Sequence, residues 1–120
     1  RSTLFPYTTL FRSERCRFKA RVDYVTSPGH GEGGDWRQRV GLPGGGPAVI
    51  VTTLGIFSFD GHTNEAILAS HHPGITLDKV REQTGWGVRV SSGVHETLPP
   101  TEEELAIIRH YDPHGFWTRS

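Results

Sequence analysis

The stretch that decides the fold is residues 41–60, which read GLPGGGPAVIVTTLGIFSFD. It begins with a glycine-rich loop, residues 41–47, and continues as an unbroken apolar and β-branched run over residues 48–54. A run of this kind is typical of a central strand that is buried on both faces, as in a parallel sheet. Residues 56–60 then alternate in polarity, which predicts a further strand.

The chain after these two strands continues the pattern. Residues 66–71 alternate again, and the turn-rich residues 61–65 predict a β-hairpin with a loop of about five residues. Thr76 is a candidate N-cap for a helix over residues 77–84, with Gly85 as its C′ residue. The hairpin should therefore be followed by a short helix.

The last predicted elements are a strand over residues 88–90 and a helix over residues 102–110. The helix is expected because Thr101 and Glu104 have the spacing of a capping box. Its apolar side chains should be buried, and a proline should stop it. We expect Leu105 and Ile108 to be buried, and we expect the helix to end at Asp112 and Pro113.

Before the glycine-rich loop, the signals are weaker. Residues 18–26 alternate in part, which predicts a strand that ends at the turn signal of residues 27–29. Asp35 is a candidate cap for a single helical turn over residues 35–39. The order of elements predicts an α/β protein that holds part of an open sheet, because too few crossover helices are present for a whole doubly wound domain.

Composition limits the class of protein. The 120 residues suffice for one domain or part of one, and the formal net charge of +0 argues against a nucleic-acid partner. No run approaches about 18 consecutive apolar residues, so no membrane-spanning helix and no membrane partner are expected. A single cysteine, Cys16, excludes an internal disulfide framework and any CxxC metal knuckle. We therefore expect a cytoplasmic protein.

The start of the chain differs in character from the rest. Residues 3–13 read TLFPYTTLFRS, and all eleven match the conceptual translation of a common short-read sequencing adapter. We therefore interpret residues 1–13 as translated adapter with no native structure, joined to an authentic fragment over residues 14–120. A metagenomic fragment assembled in this way would lack its true N-terminus. The alternative is a natural edge strand at residues 3–5 followed by a loop.

Seven histidines raise the question of a metal site. His71 and His72 are adjacent, so in a strand their side chains face opposite ways. His110 and His114 are four residues apart, but Pro113 breaks the helix between them. No HExxH motif is present. We expect no metal, and exposed loop histidines are the favoured explanation.

Gly44, Gly45 and Gly46 are the strongest candidates for ligand contact. Glycines let backbone N–H groups approach an anion or a carbonyl oxygen. The pattern matches neither GxGxxG nor GxxxxGKS, and a strand follows it, so a flexible entry to that strand is an equal alternative. Thr52 and Thr53 lie at the end of the strand, where open α/β sheets bind ligands, but two ordinary strand threonines are the favoured explanation.

Four motifs together resemble one family. In order and spacing they resemble the C-terminal half of the B subunit of family I CoA-transferases, in the branch of glutaconate CoA-transferase. That branch includes the related ring-cleaving CoA hydrolases of steroid catabolism. The motifs are RVDYVTSPGHGEG at residues 21–33, VGLPGGGPAVIVTTLGIFSFD at 40–60, HHPGITLDKVREQTGW at 71–86 and LPPTEEELAIIRHYDPHG at 98–115.

The resemblance implies the C-terminal part of an open, mostly parallel α/β sheet of the CoA-transferase/sugar-phosphate-isomerase type, with a β-hairpin. It implies the A subunit of the same CoA-transferase as partner in a hetero-oligomer, acyl-CoA and carboxylate substrates, and coenzyme A as substrate or covalent intermediate without a metal. In this family a glutamate attacks the thioester and forms a glutamyl-CoA intermediate. That glutamate belongs to the N-terminal half, so no catalytic residue is assigned. Gly44, Gly45 and Gly46 match a glycine-rich segment of the family and are the expected CoA-binding residues.

Three functions stay open. The first is a fragment of a CoA-transferase B subunit, inactive alone, from an enzyme of the glutaconate or 3-oxoacid type. The second is a CoA-thioester or ring-cleaving hydrolase subunit of the same fold. The third is a non-catalytic interaction module that keeps the sheet and the subunit interface. The sequence upstream of residue 14 would discriminate between the first two.

Overall fold

The computed structural model describes residues 10–118, which form one open sheet with three helices. The elements are β1 (Leu10–Phe11), α1 (Trp36–Arg39), β2 (Ile50–Thr52), β3 (Gly55–Phe59), β4 (Ala66–His71), α2 (Leu77–Glu82), β5 (Arg89–Glu96) and α3 (Glu102–Tyr111). The strands lie side by side in chain order. β3 is antiparallel to both its neighbours and the other two pairs are parallel, so four of the five described strands run in one direction. The predicted α/β class, with an open, mostly parallel sheet and a hairpin, is confirmed.

The hairpin of β3 and β4 follows the alternation in the sequence. Five residue pairs join the two strands. In the turn, Asp60 Oδ1 accepts hydrogen bonds from the N–H groups of His62 and Thr63, both at 2.9 Å. Asn64 has a left-handed φ of 57°, which asparagine tolerates better than most residues. The connection spans residues 60–65 and is therefore one residue longer than the predicted loop.

The buried apolar core is small. Its fully buried side chains are Phe57 of β3, Leu68 of β4 and Val80 of α2, each at most 2% exposed. Thr76 caps α2 as predicted, and its side chain accepts a hydrogen bond from the N–H of Lys79 at 3.2 Å. The core thus joins the hairpin to one short helix.

The end of α2 differs from the prediction. The helix ends at Glu82 with Gln83 as its C-cap, so Gly85 is not the C′ residue. The N–H of Gly85 instead donates to the carbonyl oxygen of Phe18 at 2.6 Å, and a Cβ on Gly85 would lie 2.5 Å from that oxygen. Glycine is required here by the close approach of two chain segments.

The apolar run over residues 48–54 forms a shorter and less buried strand than predicted. Only Ile50–Thr52 is a strand, and Val49 is 55% exposed. The Thr52 hydroxyl accepts hydrogen bonds from the N–H groups of Leu54 and Gly55, which turns the chain immediately after β2. On its other side, β2 pairs in the described structure with the two residues of β1. The prediction of a central strand buried on both faces is therefore wrong for this chain.

The strand predicted over residues 18–26 is also wrong. The segment consists of bends and irregular chain, with one isolated bridge between Lys19 and Gly85. Val22, Tyr24 and Val25 are all at least half exposed. β-branched side chains favour a strand only where a neighbouring edge is available to pair with.

The predicted helical turn at residues 35–39 is close to what the structure shows. α1 occupies Trp36–Arg39 with Asp35 at the N-cap position. The Asp35 side chain makes no capping hydrogen bond and pairs instead with Arg39, at 3.0 Å. The position of the element is therefore as predicted, but the mechanism of its cap is not.

The two C-terminal elements lie where they were expected but differ in extent or burial. β5 runs over Arg89–Glu96, longer than the predicted residues 88–90, because it pairs in parallel with most of β4. α3 begins at the predicted capping box, in which the Thr101 and Glu104 side chains each bond the other residue's backbone. No residue of α3 is buried, and Ile108 is 44% exposed, so the predicted burial of Leu105 and Ile108 is wrong. The described chain supplies no second layer to cover this helix.

The N-terminal stretch contributes one described element. β1 pairs in parallel with β2, Leu10 opposite Val51 and Phe11 opposite Thr52. This strand falls inside residues 1–13, for which no native structure is expected, while residues 1–9 lie outside the described part. The adapter origin of the stretch stays a prediction. Between residues 10 and 118, no helix is long and apolar enough to cross a bilayer.

Candidate functional site

The sheet separates the candidate residues into two groups. β2, β4 and β5 end at one edge, which we call the carboxyl edge, where Thr52, His71 and Glu96 lie. β2 begins at the opposite edge, the amino edge, where the hairpin turn also lies. The glycine loop, residues 41–47, precedes β2 and therefore belongs to the amino edge, away from Thr52. The structure does not bring the candidate glycines and threonines together.

The three candidate glycines differ in what surrounds them. Gly44 and Gly46 have left-handed φ values of 71° and 82°, whereas Gly45 does not. A Cβ on Gly44 or Gly45 would meet no atom within 4 Å. A Cβ on Gly46 would lie 3.0 Å from Arg37 Cδ and 3.0 Å from the His30 ring. Gly46 is thus fixed by packing and backbone, while Gly45 lies in open space.

Arg37 of α1 holds the glycine loop through its carbonyl groups. Its Nη1 donates to Gly29 O at 2.5 Å and its Nη2 to Pro43 O at 2.8 Å. A third, longer contact joins its Nε to Gly44 O at 3.4 Å. The planar guanidinium is suited to this task because its donors are fixed in a fork. The side chain thereby connects the loop to the segment that precedes α1.

The N–H groups of the three central glycines differ from those of Gly41 and Leu42, which donate to Gln38 O and Arg37 O. No described residue accepts a hydrogen bond from the N–H of Gly44, Gly45 or Gly46. All three glycines are exposed. Successive backbone N–H groups with no protein partner can surround an anionic oxygen. The amino edge can therefore bind an anionic group through these backbone N–H groups.

His30 packs beneath the same loop. Its Nε2 lies 2.8 Å from Pro47 O, and because a carbonyl can only accept, this nitrogen carries the proton. The ring contacts the Phe59 ring, with 4.5 Å between centroids. Its Nδ1 is buried without a partner in the described structure. His30 anchors the exit of the loop to the end of β3.

The hairpin turn contacts the glycine-rich segment that precedes α1. The N–H of Gly34 donates to Thr63 O at 3.1 Å, and Asn64 Nδ2 donates to Gly34 O at 2.7 Å. Backbone hydrogen bonds from Thr63 and His62 lower the pKa of Asp60 to about 2, and Arg89 contributes further. An ionised Asp60 therefore holds the turn that Gly34 contacts.

The carboxyl edge contains a hydrogen-bond chain that the sequence did not predict. His72 Nε2 lies 2.8 Å from Thr52 O, so Nε2 carries a proton. His72 Nδ1 is 3.1 Å from Thr97 Oγ1, and that hydroxyl is 2.8 Å from Ser70 Oγ. In the tautomer with its proton on Nε2, Nδ1 accepts a hydrogen bond from the Thr97 hydroxyl. The Thr97 oxygen in turn accepts a hydrogen bond from the Ser70 hydroxyl. The chain ties the ends of β2 and β4 to the residue after β5.

The two threonines at this edge have structural partners. Thr52 is fully buried, and its hydroxyl donates to Gly55 O at 2.8 Å while closing the turn after β2. Thr53 Oγ1 accepts a hydrogen bond from the N–H of Ser13 at 3.0 Å. The geometry agrees with the favoured explanation of ordinary threonines.

His71 differs from its neighbour His72. Neither ring nitrogen of His71 has a hydrogen-bond partner in the described structure, and Nδ1 is buried. Across residues 10–118 no three His, Cys, Asp or Glu side chains are grouped so as to hold a metal ion. The hydrogen-bond chain of His72, Thr97 and Ser70 was not predicted from the sequence, because residues 70 and 97 are distant in sequence. The one available signal was the HHPG turn directly after a strand.

Comparison with known proteins gives consistent matches. The family model described as Coenzyme A transferase matches residues 4–83. This range begins inside the adapter-like stretch and continues through the glycine loop and the hairpin to α2.

Two curated relatives are CoA-transferase subunits. The chain is 48% identical over 92 residues to the B subunit of 3-oxoadipate CoA-transferase from Pseudomonas knackmussii, covering 77% of this chain and 35% of the relative. It is 38% identical over 105 residues to the B subunit of glutaconate CoA-transferase from Acidaminococcus fermentans, covering 87% of this chain and 40% of the relative. A third relative, the cholesterol ring-cleaving hydrolase IpdB subunit of Rhodococcus jostii, is 40% identical over 73 residues, covering 58% of this chain and 28% of the relative. The chain thus spans well under half the length of each.

The fold has a counterpart among solved structures. Glutaconate coenzyme A-transferase from Acidaminococcus fermentans matches with a TM-score of 0.80 and 35% identity. The match covers 92% of this chain and 43% of that chain. The described sheet, hairpin and helices therefore have the arrangement found in part of that enzyme.

Proposed function

The chain belongs to the coenzyme A transferase family, and from that premise we propose that it is part of a B-type subunit that moves CoA between an acyl-CoA and a carboxylic acid. The observation that carries the proposal is the family match over residues 4–83, which includes the glycine loop, the hairpin and α2. The identity of 48% to the B subunit of a 3-oxoadipate CoA-transferase supports a dicarboxylate or 3-oxoacid as the acceptor.

The proposed reaction uses a glutamate outside this chain. Its carboxylate attacks the acyl-CoA carbonyl and releases CoA thiolate, which leaves a mixed anhydride. The thiolate then attacks the glutamyl carbonyl, giving glutamyl-CoA and the first carboxylic acid. The second carboxylate repeats the two steps in reverse and receives the CoA. Covalent catalysis of this kind divides one difficult acyl transfer into easier steps.

The proposed part played by this chain is CoA binding through Gly44, Gly45 and Gly46. Their N–H groups have no acceptor among the described residues, and the carbonyl groups beside them are held by Arg37. N–H groups arranged in advance stabilise an anionic oxygen without reorganisation at the moment of binding. The proposed partner is an A-type subunit, since the curated transferase relatives are named as B subunits.

A chimeric enzyme tests this function. Residues 14–120 replace the matching segment of the Pseudomonas knackmussii B subunit, which is co-produced with its own A subunit. Transfer of CoA from an acyl-CoA donor to 3-oxoadipate, without release of free thiol, is the expected result. A correctly assembled chimera that neither transfers CoA nor hydrolyses the thioester would favour a non-catalytic module and refute the proposal.

A hydrolase subunit is the second candidate function. It is favoured by the 40% identity to the ring-cleaving hydrolase subunit of Rhodococcus jostii over 73 residues. The sequence upstream of residue 14 distinguishes the two functions, because a transferase B subunit carries its glutamate there.

The glycine loop is tested in that chimera by Gly45→Val. Gly45 has open space around its Cβ position and no left-handed φ, so the substitution should leave folding intact. The branched valine side chain would crowd any ligand that approaches the loop N–H groups, and turnover should therefore fall. Gly61→Val is a matched control, because a Cβ on Gly61 also meets no atom within 4 Å and Gly61 lies in the hairpin turn. Unchanged turnover with Gly45→Val would remove the loop from the site.

A further inference from the structure

The Arg37 side chain contacts two successive carbonyl groups of the glycine loop. No peptide bond in the described chain is cis, so each C=O and the N–H of the next residue point in opposite directions. Arg37 binds Pro43 O and Gly44 O. The N–H groups of Gly44 and Gly45 belong to those same two peptide units and must therefore point away from the guanidinium. Two successive amides are aimed outward by one side chain.

The charge of Arg37 is not compensated within the described structure. Arg37 contacts carbonyl oxygens, and it forms no ion pair with a described carboxylate. Arg39, two residues later on the same helix, is paired with both Asp35 and Glu32. The loop therefore lies beside one free positive charge, which attracts an anion to the outward-facing amides.

The position of the glycine loop indicates which end of a bound CoA would lie beside it. In open α/β sheets, bound ligands lie at the carboxyl ends of the strands. The glycine loop is at the amino edge, and β4, with six residues, spans about 20 Å between the two edges. A long ligand with its reacting end at the carboxyl edge would place its far end near the loop. In CoA that far end carries the phosphates.

We propose that Arg37 is a positioning residue that holds the Gly44 and Gly45 amides in an anion site for a phosphate group of CoA. The inference rests on the proposed function for the identity of the ligand. The shared chemistry is an anionic oxygen, which a phosphate or a substrate carboxylate could supply.

The test follows the glycine amides of the full chain by NMR with ¹⁵N-glycine labelling. The probes are adenosine 3′,5′-bisphosphate for the phosphate end, pantetheine for the neutral arm and glutarate for a carboxylate. The bisphosphate should shift the Gly44 and Gly45 amide signals, and the other two should leave them in place. A response to glutarate alone, or no response to the bisphosphate, would overturn the proposal.

Substitutions separate positioning from charge. Arg37→Met should weaken bisphosphate binding about tenfold, because it removes a charge and the hydrogen bonds that aim the amides. Arg37→Lys keeps the charge but lacks the fork, so it should not restore the Gly44 and Gly45 shifts. Arg39→Met is the matched control and should change the affinity less than about twofold. Full affinity in Arg37→Met, or equal losses in the Arg37→Met and Arg39→Met variants, contradicts a positioning role.

Two further readouts keep the result decisive. If Arg37→Met fails to fold, Gly45→Val blocks the amides without touching the arginine, and it should abolish the bisphosphate-dependent shift of the Gly44 signal. An active chimera with no bisphosphate response at the loop would reject the anion site and leave the proposed function standing. An inactive chimera with a bisphosphate response that depends on Arg37 would reject the function and leave an anion site.

Discussion

At the scale of single residues, the three glycines of the loop have different structural roles. Gly44, Gly45 and Gly46 look equivalent in sequence, yet only Gly46 combines a left-handed φ with atoms at 3.0 Å from a Cβ. Their shared role as candidates was predictable because three consecutive glycines are a local signal. Their different roles were not, because Arg37 and His30 approach Gly46 only in the folded chain.

Gly46→Ala should destabilise the fold, whereas Gly45→Ala should not. The alanine methyl at residue 46 would crowd Arg37 and the His30 ring in a conformation that L residues rarely adopt. We expect a loss of about 1 kcal/mol or more in the free energy of unfolding for Gly46→Ala. Chemical denaturation of the two variants measures the difference. Equal stability would show that the loop is not packed as described.

Asp60 should make the hairpin sensitive to acid. Its pKa is lowered from 3.8 to about 2 by the N–H groups of Thr63 and His62, so the folded state favours the charged form. The stabilisation is then present above about pH 4 and is lost as the pH falls toward 2. Asp60→Asn should remove this dependence, which denaturation curves between about pH 5 and about pH 2 measure. Asp78→Asn is the control, since that side chain is 94% exposed; an equal effect there would contradict the role of Asp60.

At the scale of elements, the N-cap signals of α2 and α3 were reliable, whereas strands that need a distant neighbour were not. The capping box of Thr101 and Glu104 indicated the start of α3, because its reciprocal hydrogen bonds depend on residues three apart. The hairpin was likewise predictable from alternation around a polar turn. The failed strand over residues 18–26 and the shortened β2 depend on which neighbouring edge the chain provides. Neighbouring edges are not encoded in a short window of sequence.

The adjacent histidines at the carboxyl edge provide a test of how the strands are joined. His72 bridges Thr52 O and Thr97 Oγ1, so His72→Ala leaves a carbonyl and a hydroxyl without this partner. We expect a cost of about 1–3 kcal/mol in the free energy of unfolding. His71→Ala is the matched control and should cost clearly less, because the His71 ring has no described partner. Thermal unfolding of the two variants side by side makes the comparison, and a larger loss at His71 would refute the bridge.

At the scale of the whole molecule, the described chain buries little of its apolar surface. Its radius of gyration is 16.2 Å, compared with about 14 Å for a compact domain of this length. Only three apolar side chains form the buried core of the described residues, while Ile107, Ile108 and Val49 are each more than two-fifths exposed. The fold class was predictable because it follows from the order of elements. The incomplete burial was not, since it depends on what lies beside β2 and over α3.

The isolated chain should therefore be marginally stable or self-associating. β2 has a two-residue neighbour on one side, so its unpaired N–H and C=O groups can pair with a second molecule. Sedimentation at several concentrations should show association, and the unfolding transition should be broad and dependent on concentration. Val49→Lys places a charge on the exposed flank of β2 and should reduce association without disturbing the Phe57–Leu68–Val80 core. Glu103→Lys is the control, because it changes the charge on the exposed helix α3 instead of on the flank of β2. A monomer with a sharp, concentration-independent transition would show instead that the sheet is complete without further strands.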